Sequence, residues 1–247
     1  MRYFITTAVG SMIYFISYSQ NSLPGFEIGA GLSAMVYQGD LAPARVGSYR
    51  TLRPGISISG SRLFNPYFAL RASLGVGALR GDDSKFKTPE WRTQRNFAFS
   101  STVAELSVVG VYSILGTNGD NSDRRLSPYV FGGVGFSFLR TAVDFTRFNA
   151  TYFGSESWVV SGLATDIAHG PNRRLLVFPV GAGLRYPISN SFSISLETNY
   201  RISFTDYIDG FSRSAGPSRK DSYYSHTASL IYTFNRGKGI KCPVIRP

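Results

Sequence analysis

His226 and Ser225 are the neighbouring residues in this chain with the clearest capacity for catalysis. A serine beside a histidine is the start of a hydrolase site, in which the imidazole activates the hydroxyl. If this pair lay on the lipid-facing outside of a membrane protein, the protein could be an enzyme that modifies lipids. The alternative, which we favour, is an ordinary histidine at a membrane interface beside Tyr223 and Tyr224. The sequence therefore predicts a protein that is not an enzyme.

Metal and cofactor sites find little support in the residue types. The chain has two histidines, His169 and His226, and one cysteine, whereas a metal site normally draws on more such ligands. Asp82 and Asp83, or Asp206 with Asp209, could hold calcium in loops, although solvated loop acids are the preferred interpretation. No G-x-G-x-x-G nucleotide fingerprint is present. We expect no metal and no cofactor.

A strict alternation of side chains organises the elements that would carry these residues. Between Phe26 and Val36 every even-numbered residue is apolar, while the odd-numbered ones are mostly small or polar. A period of two is the period of a β-strand. Comparable segments predict eight strands, near residues 26–37, 54–64, 67–80, 97–112, 127–139, 175–186, 192–204 and 223–235.

Two of these strands depart from the simple pattern. Phe97 and Phe99 have the opposite parity to Leu106 and Val108, which predicts a bulge between the two pairs. The segment 129–131, Tyr-Val-Phe, has no polar face.

The connections between the strands predict a barrel in a membrane. Tight connections at Asn65-Pro66 and 187–191, and an intermediate one near 116–126, alternate with long ones over 38–53, 81–96, 140–174 and 205–222. Short periplasmic turns and long outer loops are typical of outer-membrane barrels. The expected fold is an all-β, eight-stranded antiparallel transmembrane barrel with both termini in the periplasm.

Composition agrees with export to the outer membrane. Residues 1–19 have a basic start, an apolar stretch and small residues before Gln20, as in a signal peptide. The predicted barrel spans residues 20–235, and residues 236–247 form a basic periplasmic tail. Aromatic residues make up 15% of the chain, as suits girdles at two membrane interfaces. The net charge of +11 is scattered along an exported chain, so we expect anionic lipid head groups and lipopolysaccharide as partners rather than nucleic acid.

The inward face of the barrel carries balanced charges. Three acids and three bases fall on the odd-numbered face of the strands: Glu27, Arg71, Glu105, Arg185, Glu197 and Arg201. Eight strands enclose a lumen that side chains can fill, and unpaired buried charges are costly. We therefore predict an ion-paired plug, with a selective ion path as the alternative. Inward glycine pairs would relieve crowding: Gly29 and Gly31, Gly75 and Gly77, Gly133 and Gly135, and Gly181 and Gly183.

A series of short motifs resembles a known family. In chain order they are Tyr37-Gln38-Gly39-Asp40-Leu41, Arg53-Pro54-Gly55, Asn65-Pro66, Leu70-Arg71-Ala72-Ser73-Leu74, Gly81-Asp82-Asp83-Ser84, Arg95-Asn96-Phe97-Ala98-Phe99, Glu105-Leu106, Ser127-Pro128-Tyr129-Val130-Phe131-Gly132-Gly133 and Phe178-Pro179-Val180-Gly181-Ala182-Gly183. Their order is similar to that in the Bacteroidota outer-membrane barrel family that includes PorG, a component of type IX secretion. The long third outer loop departs from that family's best-characterised members.

The resemblance implies a structural role without catalysis. Members are thought to anchor secretion and gliding machinery to the outer membrane, which implies periplasmic or outer-membrane secretion proteins as partners. From the residues themselves, the tail is a candidate docking segment because it carries bases and no acid: Arg236, Lys238, Lys241 and Arg246. A disordered tail is the alternative. The second functional hypothesis is a general barrel for envelope integrity or for ligand binding through outer loops.

Overall fold

A computed structural model describes residues 25–44, 46–118, 125–216 and 220–234. The predicted signal peptide, residues 1–19, and the predicted tail, residues 236–247, lie outside the described residues. Among the described residues, no helix is both long and apolar enough to cross a membrane.

Eight strands form the sheet in the described part of the chain, as the alternation predicts. The strand boundaries lie within a few residues of those predicted, and the largest difference is at the C-terminal end of the fifth strand. The strands are β1 (Phe26–Gln38), β2 (Arg53–Leu63), β3 (Phe68–Asp82), β4 (Ala98–Ser113), β5 (Ser127–Asp144), β6 (Arg174–Pro187), β7 (Phe192–Ile202) and β8 (Ser222–Phe234).

The sheet closes on itself. Each strand pairs antiparallel with its neighbour in sequence, and β1 pairs with β8 from Phe26↔Phe234 to Gln38↔Ser222. The turn end of the barrel holds the short connections, and the opposite, loop end holds the four long ones. Closure removes the unpaired edges that an open sheet would present. The predicted closed eight-stranded antiparallel transmembrane barrel is confirmed.

Side chains alternate between lumen and exterior along every strand. Even-numbered apolar residues of β1 such as Ile28 and Leu32 are 52% and 72% exposed on the exterior. The odd-numbered Glu27 points into the lumen and is 5% exposed. The exposed apolar side chains continue around the barrel as a belt, for example Ile56, Ile58, Leu74, Leu106, Val134, Phe136, Leu176, Leu196 and Leu230. A continuous apolar belt of this kind is suited to lipid rather than water.

The long connections fold into a compact structure at the loop end, which we call the cap (residues 39–52, 83–97, 145–173 and 203–221, as far as they are described). It contains helices α1 (Trp91–Arg95), α2 (Ala150–Phe153) and α3 (Trp158–His169), with 3-10 turns at Tyr49–Thr51 and Asp83–Lys85. Helix α3 begins after Ser157, whose hydroxyl accepts a hydrogen bond from the Val159 backbone N–H.

The cap shares an apolar core with the loop-end residues of the strands. Phe97 and Phe211 stack at 4.4 Å between ring centroids, and Val159 and Leu163 of α3 pack against the same cluster. Burial of these side chains is the main favourable contribution to folding of the loops. From the sequence we predicted these segments to be outer loops, and we did not predict this core.

The predicted bulge in β4 is wrong. The register between β3 and β4 runs without interruption from Phe68↔Tyr112 to Asp82↔Ala98. Phe99 is 2% exposed because it points into the cap core, while Leu106 points outward. Lumen-facing positions of β4 are polar at mid-barrel and apolar at the loop end. Apolar residues therefore occur at odd-numbered positions there and at even-numbered positions further along the strand. Near the turn end, Tyr129 and Phe131 also point inward, into a second apolar cluster that includes Val109, while Val130 points outward, which explains the missing polar face.

Gly133 lies where neighbouring backbones approach closely. A Cβ atom at this position would overlap the Val108 carbonyl oxygen and lie 2.7 Å from the Val109 Cα, and neither backbone atom can move aside easily. A Cβ at Gly60, by contrast, would have nothing within 4 Å.

We expect Gly133→Ala to destabilise the barrel by about 1–3 kcal/mol, the usual cost of overpacking. Urea unfolding of the barrel refolded in detergent measures the effect. Gly60→Ala is the matched control and should unfold within about 0.5 kcal/mol of the native chain. Equal stability of Gly133→Ala and the native chain would contradict the close approach.

Candidate functional site: a charge-paired lumen closed by a cap

The six lumen charges predicted from the alternation meet in three pairs. Arg185 and Glu27 lie 2.6 Å apart, Arg71 and Glu197 2.9 Å, and Arg201 and Glu105 3.1 Å, in each case between a guanidinium nitrogen and a carboxylate oxygen. Each pair joins strands that are not neighbours, so it spans the lumen. The pairs therefore cross-link opposite walls of the barrel.

The Arg185–Glu27 pair is bidentate. Both terminal guanidinium nitrogens of Arg185 donate to Glu27, at 3.0 and 2.6 Å, and the Thr233 hydroxyl donates to the same carboxylate at 2.9 Å. Bidentate, charge-assisted bonds of this type are among the strongest available to side chains. They offset the cost of removing both charges from water.

Tyrosine hydroxyls complete the other two pairs. Tyr129 donates to Glu197 at 2.9 Å, and Tyr223 donates to Glu105 at 2.8 Å. Tyr223 is fully buried, because in β8 it has the parity of the lumen face, so it does not accompany His226 on the exterior.

The lumen contains small cavities and no open channel in the described residues. Two cavities of about 60 and 50 Å³ lie beside the ion pairs, the first lined by Arg71, Arg185 and Ser195 and the second by Glu105 and Asn199. Volumes of this size hold a few water molecules. Because the charges neutralise one another and the cap covers the loop end, this arrangement favours the ion-paired plug over the ion path.

A buried carboxylate organises the cap. Asp83 has no exposed surface and receives hydrogen bonds from Arg95, at 2.7 and 3.0 Å, and from Arg92, at 3.1 Å. Arg95 also donates to the Ala215 carbonyl, and Arg92 to the Ala42 carbonyl at 2.9 Å. These two guanidinium groups therefore join three of the four long connections to one another.

A second polar cluster joins the first connection to the fourth. The Tyr37 hydroxyl lies 2.6 Å from an Asp221 oxygen and 2.7 Å from an Asp209 oxygen. A phenol has one proton, so it can donate to only one of these carboxyls. The other contact requires a proton on a carboxyl oxygen, which donates back to the phenol. Gly39 permits the cluster, because a Cβ there would overlap both Tyr37 and Asp221.

Burial keeps a proton on this pair of acids. The pKa of Asp221 is raised to about 8, because desolvation and the negative charges of Asp40 and Asp206 outweigh the hydrogen bonds that lower it. Desolvation and the charge of Asp221 also raise the pKa of Asp209 well above its usual range. The cap therefore holds a protonated carboxyl at neutral pH.

The hydrolase hypothesis is contradicted by the geometry of β8. Ser225 faces the lumen, 1% exposed, and its hydroxyl accepts a hydrogen bond from Arg201, whereas His226 faces the exterior. Neighbouring strand residues point to opposite faces, so the two cannot form a nucleophile and base. The His226 ring nitrogens instead contact the Tyr49 hydroxyl at 3.0 Å and the Thr198 hydroxyl at 2.9 Å.

The loop acids named as calcium candidates are committed to other partners. Asp82 pairs with Arg80 at 2.8 Å, and Asp83 with the two cap arginines. Asp206 accepts from Ser212 at 2.6 Å. Within the described ranges, no group of three or more His, Cys, Asp or Glu side chains could hold a metal ion. His169 stacks on Tyr207 at 4.0 Å and hydrogen-bonds the Gly170 carbonyl.

Comparison of the sequence with protein families identifies its relatives. A family model described as a domain of unknown function, DUF6089, matches residues 6–228. The chain belongs to the DUF6089 family. No functionally curated protein matches it in sequence.

Several solved outer-membrane proteins are similar in structure. OprG from Pseudomonas aeruginosa shares 9% identity over 87% of this chain and 98% of its own, with a TM-score of 0.48. The attachment invasion locus protein Ail of Yersinia pestis shares 14% over 86% of this chain and all of its own, with a TM-score of 0.45. Neisserial surface protein A shares 15% identity over 84% of this chain and 96% of its own, with a TM-score of 0.41.

Sequence reasoning missed the residues that build the cap. One sequence signal was available: at Phe97 and Phe99 the apolar residues are odd-numbered, as expected if the lumen is apolar at the loop end. Tyr37, Asp83 and Arg95 lie in the motifs that carry the resemblance, yet nothing local in the sequence indicated that they are buried.

Removing one partner of a lumen pair should be strongly destabilising. In Glu27→Gln the Arg185 charge remains buried and loses its counter-charge, at a cost of about 3–5 kcal/mol. Urea unfolding in detergent measures this loss.

The double variant Glu27→Leu with Arg185→Met is the control. It removes both charges, so we expect it to recover most of the lost stability. A double variant as unstable as Glu27→Gln would contradict pairing as the reason for the effect.

The cap should lose stability as the pH rises. Folding raises the pKa of Asp221 from an ordinary ~3.9 to about 8, so the folded cap binds more protons than the unfolded chain between these values. This contribution is fully present below about pH 4 and is lost as the pH rises through 8. Hydrogen-exchange protection of residues 203–216, corrected for the intrinsic pH dependence of exchange, should be lower at pH 9 than at pH 6.

Asp221→Asn tests the assignment of this proton. The amide is neutral at every pH and can donate to the Tyr37 oxygen while its own oxygen accepts the Ile208 N–H, which bonds Asp221 at 2.9 Å. The pH dependence of its protection should be smaller than in the native chain, because Asp209 is then the one carboxyl of the pair that can titrate. A variant that retained the native pH dependence would exclude Asp221 as the titrating group.

Proposed function

We propose that this protein is an outer-membrane β-barrel that acts as a structural anchor or accessory component of type IX protein secretion and gliding machinery. The observation that carries the proposal is the closed lumen. Three ion pairs cross the lumen between the turn end and the cap, and the cap covers the loop end. A barrel without a passage acts through its surfaces, and anchoring other proteins is such a role.

The exterior supports a location in a membrane. A closed barrel satisfies every backbone group within the sheet, which is what a hydrocarbon environment requires. The described strands contain 11 to 18 residues, and about 9–11 are needed to cross the hydrocarbon layer. The apolar belt described above supplies the lipid-facing surface.

The motif residues support the resemblance to the family that includes PorG. Tyr37 and Gly39 belong to the first motif, Asp83 to the fifth, and Arg95 and Phe97 to the sixth. In this structure these separate motifs meet in the cap. Motifs that are far apart in the sequence are therefore in contact in the folded chain.

The barrel orientation supports a periplasmic partner. The described chain enters β1 and leaves β8 at the turn end. With long loops outside, the turn end faces the periplasm. The basic tail would then be available to an acidic periplasmic partner.

Deletion of the gene, in an organism that carries the secretion system, tests the proposed role. We expect the secreted cargo to fall to background in the culture medium and to return when the gene is supplied again. An unchanged set of secreted proteins would overturn the role in secretion.

Planar bilayer recordings test the closed lumen separately. We expect the purified barrel to show no stable single-channel conductance. A reproducible conductance, absent from protein-free bilayers, would overturn the plug.

The tail is tested by pull-down from crosslinked cells. A chain with Arg236, Lys238, Lys241 and Arg246 all changed to Gln keeps the tail length and loses its charge. If the tail docks on an acidic partner, recovery of secretion-machinery proteins should fall about tenfold or more with this variant. Unchanged recovery would overturn docking through the tail.

A further inference from the structure

An open pocket lies on the outer surface of the cap where all four long connections meet. Pro43 comes from the first connection, Trp91 from the second, Trp158 from the third and Gly216 from the fourth. Its volume is about 620 Å³, within the range of small-molecule binding sites. The lumen cavities, at about 60 and 50 Å³, are far smaller.

Both tryptophans of the chain line this pocket. Trp91 is the first residue of α1 and Trp158 the first of α3. Their side chains remain 37% and 56% exposed, although large aromatic groups usually gain much by burial. The pocket therefore presents two large aromatic surfaces.

The pocket is held in shape by the polar cluster beneath it. Trp91 packs against the guanidinium groups of Arg92 and Arg95, whose central carbons lie 5.1 and 4.9 Å from the ring centroid. Asp83 fixes both guanidinium groups from below. A platform supported in this way loses little conformational freedom when a ligand binds.

Polar groups lie beside the aromatic surfaces. Arg92, Ser157 and Asp40 line the same pocket and provide donors and acceptors. Phe153 adds a further apolar wall. An alternation of aromatic surface with hydrogen-bonding groups matches a ligand that has both apolar and hydroxylated faces.

The charges of the pocket balance. Arg92 and Arg95 line it and are positive, Asp40 lines it and is negative, and Asp83, buried beneath the pocket, pairs with both guanidinium groups. A quaternary ammonium group would meet two guanidinium groups that already contact Trp91, so an aromatic cage for cations is disfavoured. A strongly anionic ligand would have to compete with Asp83 for guanidinium nitrogens that are already bonded, and would meet the Asp40 side chain. The balance favours a neutral polar ligand.

We infer that this pocket binds a neutral oligosaccharide. The C–H faces of a pyranose ring carry slight positive charge and stack on the negative face of an indole, while its hydroxyls bond the polar groups beside it. The inference is independent of the proposed secretion role, because it concerns the outer end of the barrel and anchoring concerns the turn end.

Tryptophan fluorescence provides a direct test, since both fluorophores of this type lie in the pocket. The full-length protein, purified in detergent, is titrated with maltotriose, cellotriose and chitotriose, and separately with choline and sucrose octasulfate. We expect a saturable change with at least one of the neutral sugars. Saturation by only choline or only the sulfated sugar would overturn the assignment, as would no response to any neutral probe.

Trp158→Ala should weaken binding of that sugar at least about tenfold, with Trp91 still reporting the titration. Ile167→Ala is the matched control, because Ile167 is 54% exposed on the same helix and does not line the pocket. It should bind as the native chain does. Equal loss in both variants, or none in Trp158→Ala, would overturn the pocket as the binding site. Heat-dependent migration on gels confirms that each variant is folded.

Discussion

Closure of the sheet is the constraint on which the rest of the structure depends. In hydrocarbon, a backbone N–H or C=O without a partner costs several kcal/mol, and pairing β1 with β8 leaves no strand edge unpaired. Eight strands closed in this way enclose only a narrow lumen. The inward side chains must then fill one another's space and satisfy one another's charge, which explains both the close backbone approach at Gly133 and the cross-lumen ion pairs.

The lumen meets this constraint in two ways along its length. Between the turn end and mid-barrel, arginine and glutamate side chains meet across the lumen with hydroxyl groups completing their bonds. At the loop end, the long connections bring in aromatic and aliphatic side chains that pack like the core of a water-soluble domain. Asp83 and the Tyr37 cluster then supply the few polar contacts that hold those connections in one arrangement.

The parts predictable from sequence are those that depend on local parity. Glu27 and Arg185 are 158 residues apart, yet each is assigned to the lumen by its own strand, and a narrow barrel makes them meet. The cap follows no such rule. Tyr37 and Asp209 come together through the path of the fourth connection, and Phe97 and Phe99 were misread because their environment is set by the long connections. Long-range loop packing leaves no periodic trace in the sequence.

The cap also imposes an order on assembly. Its contacts join residues as far apart as Tyr37 and Asp209, 172 positions away, and they draw on all four connections. Such distant contacts carry a large loop-closure cost until the strands between them are paired. The connections therefore fold into the cap only after the last strand has closed the barrel. Formation of the cap is then a late step that reports completed closure.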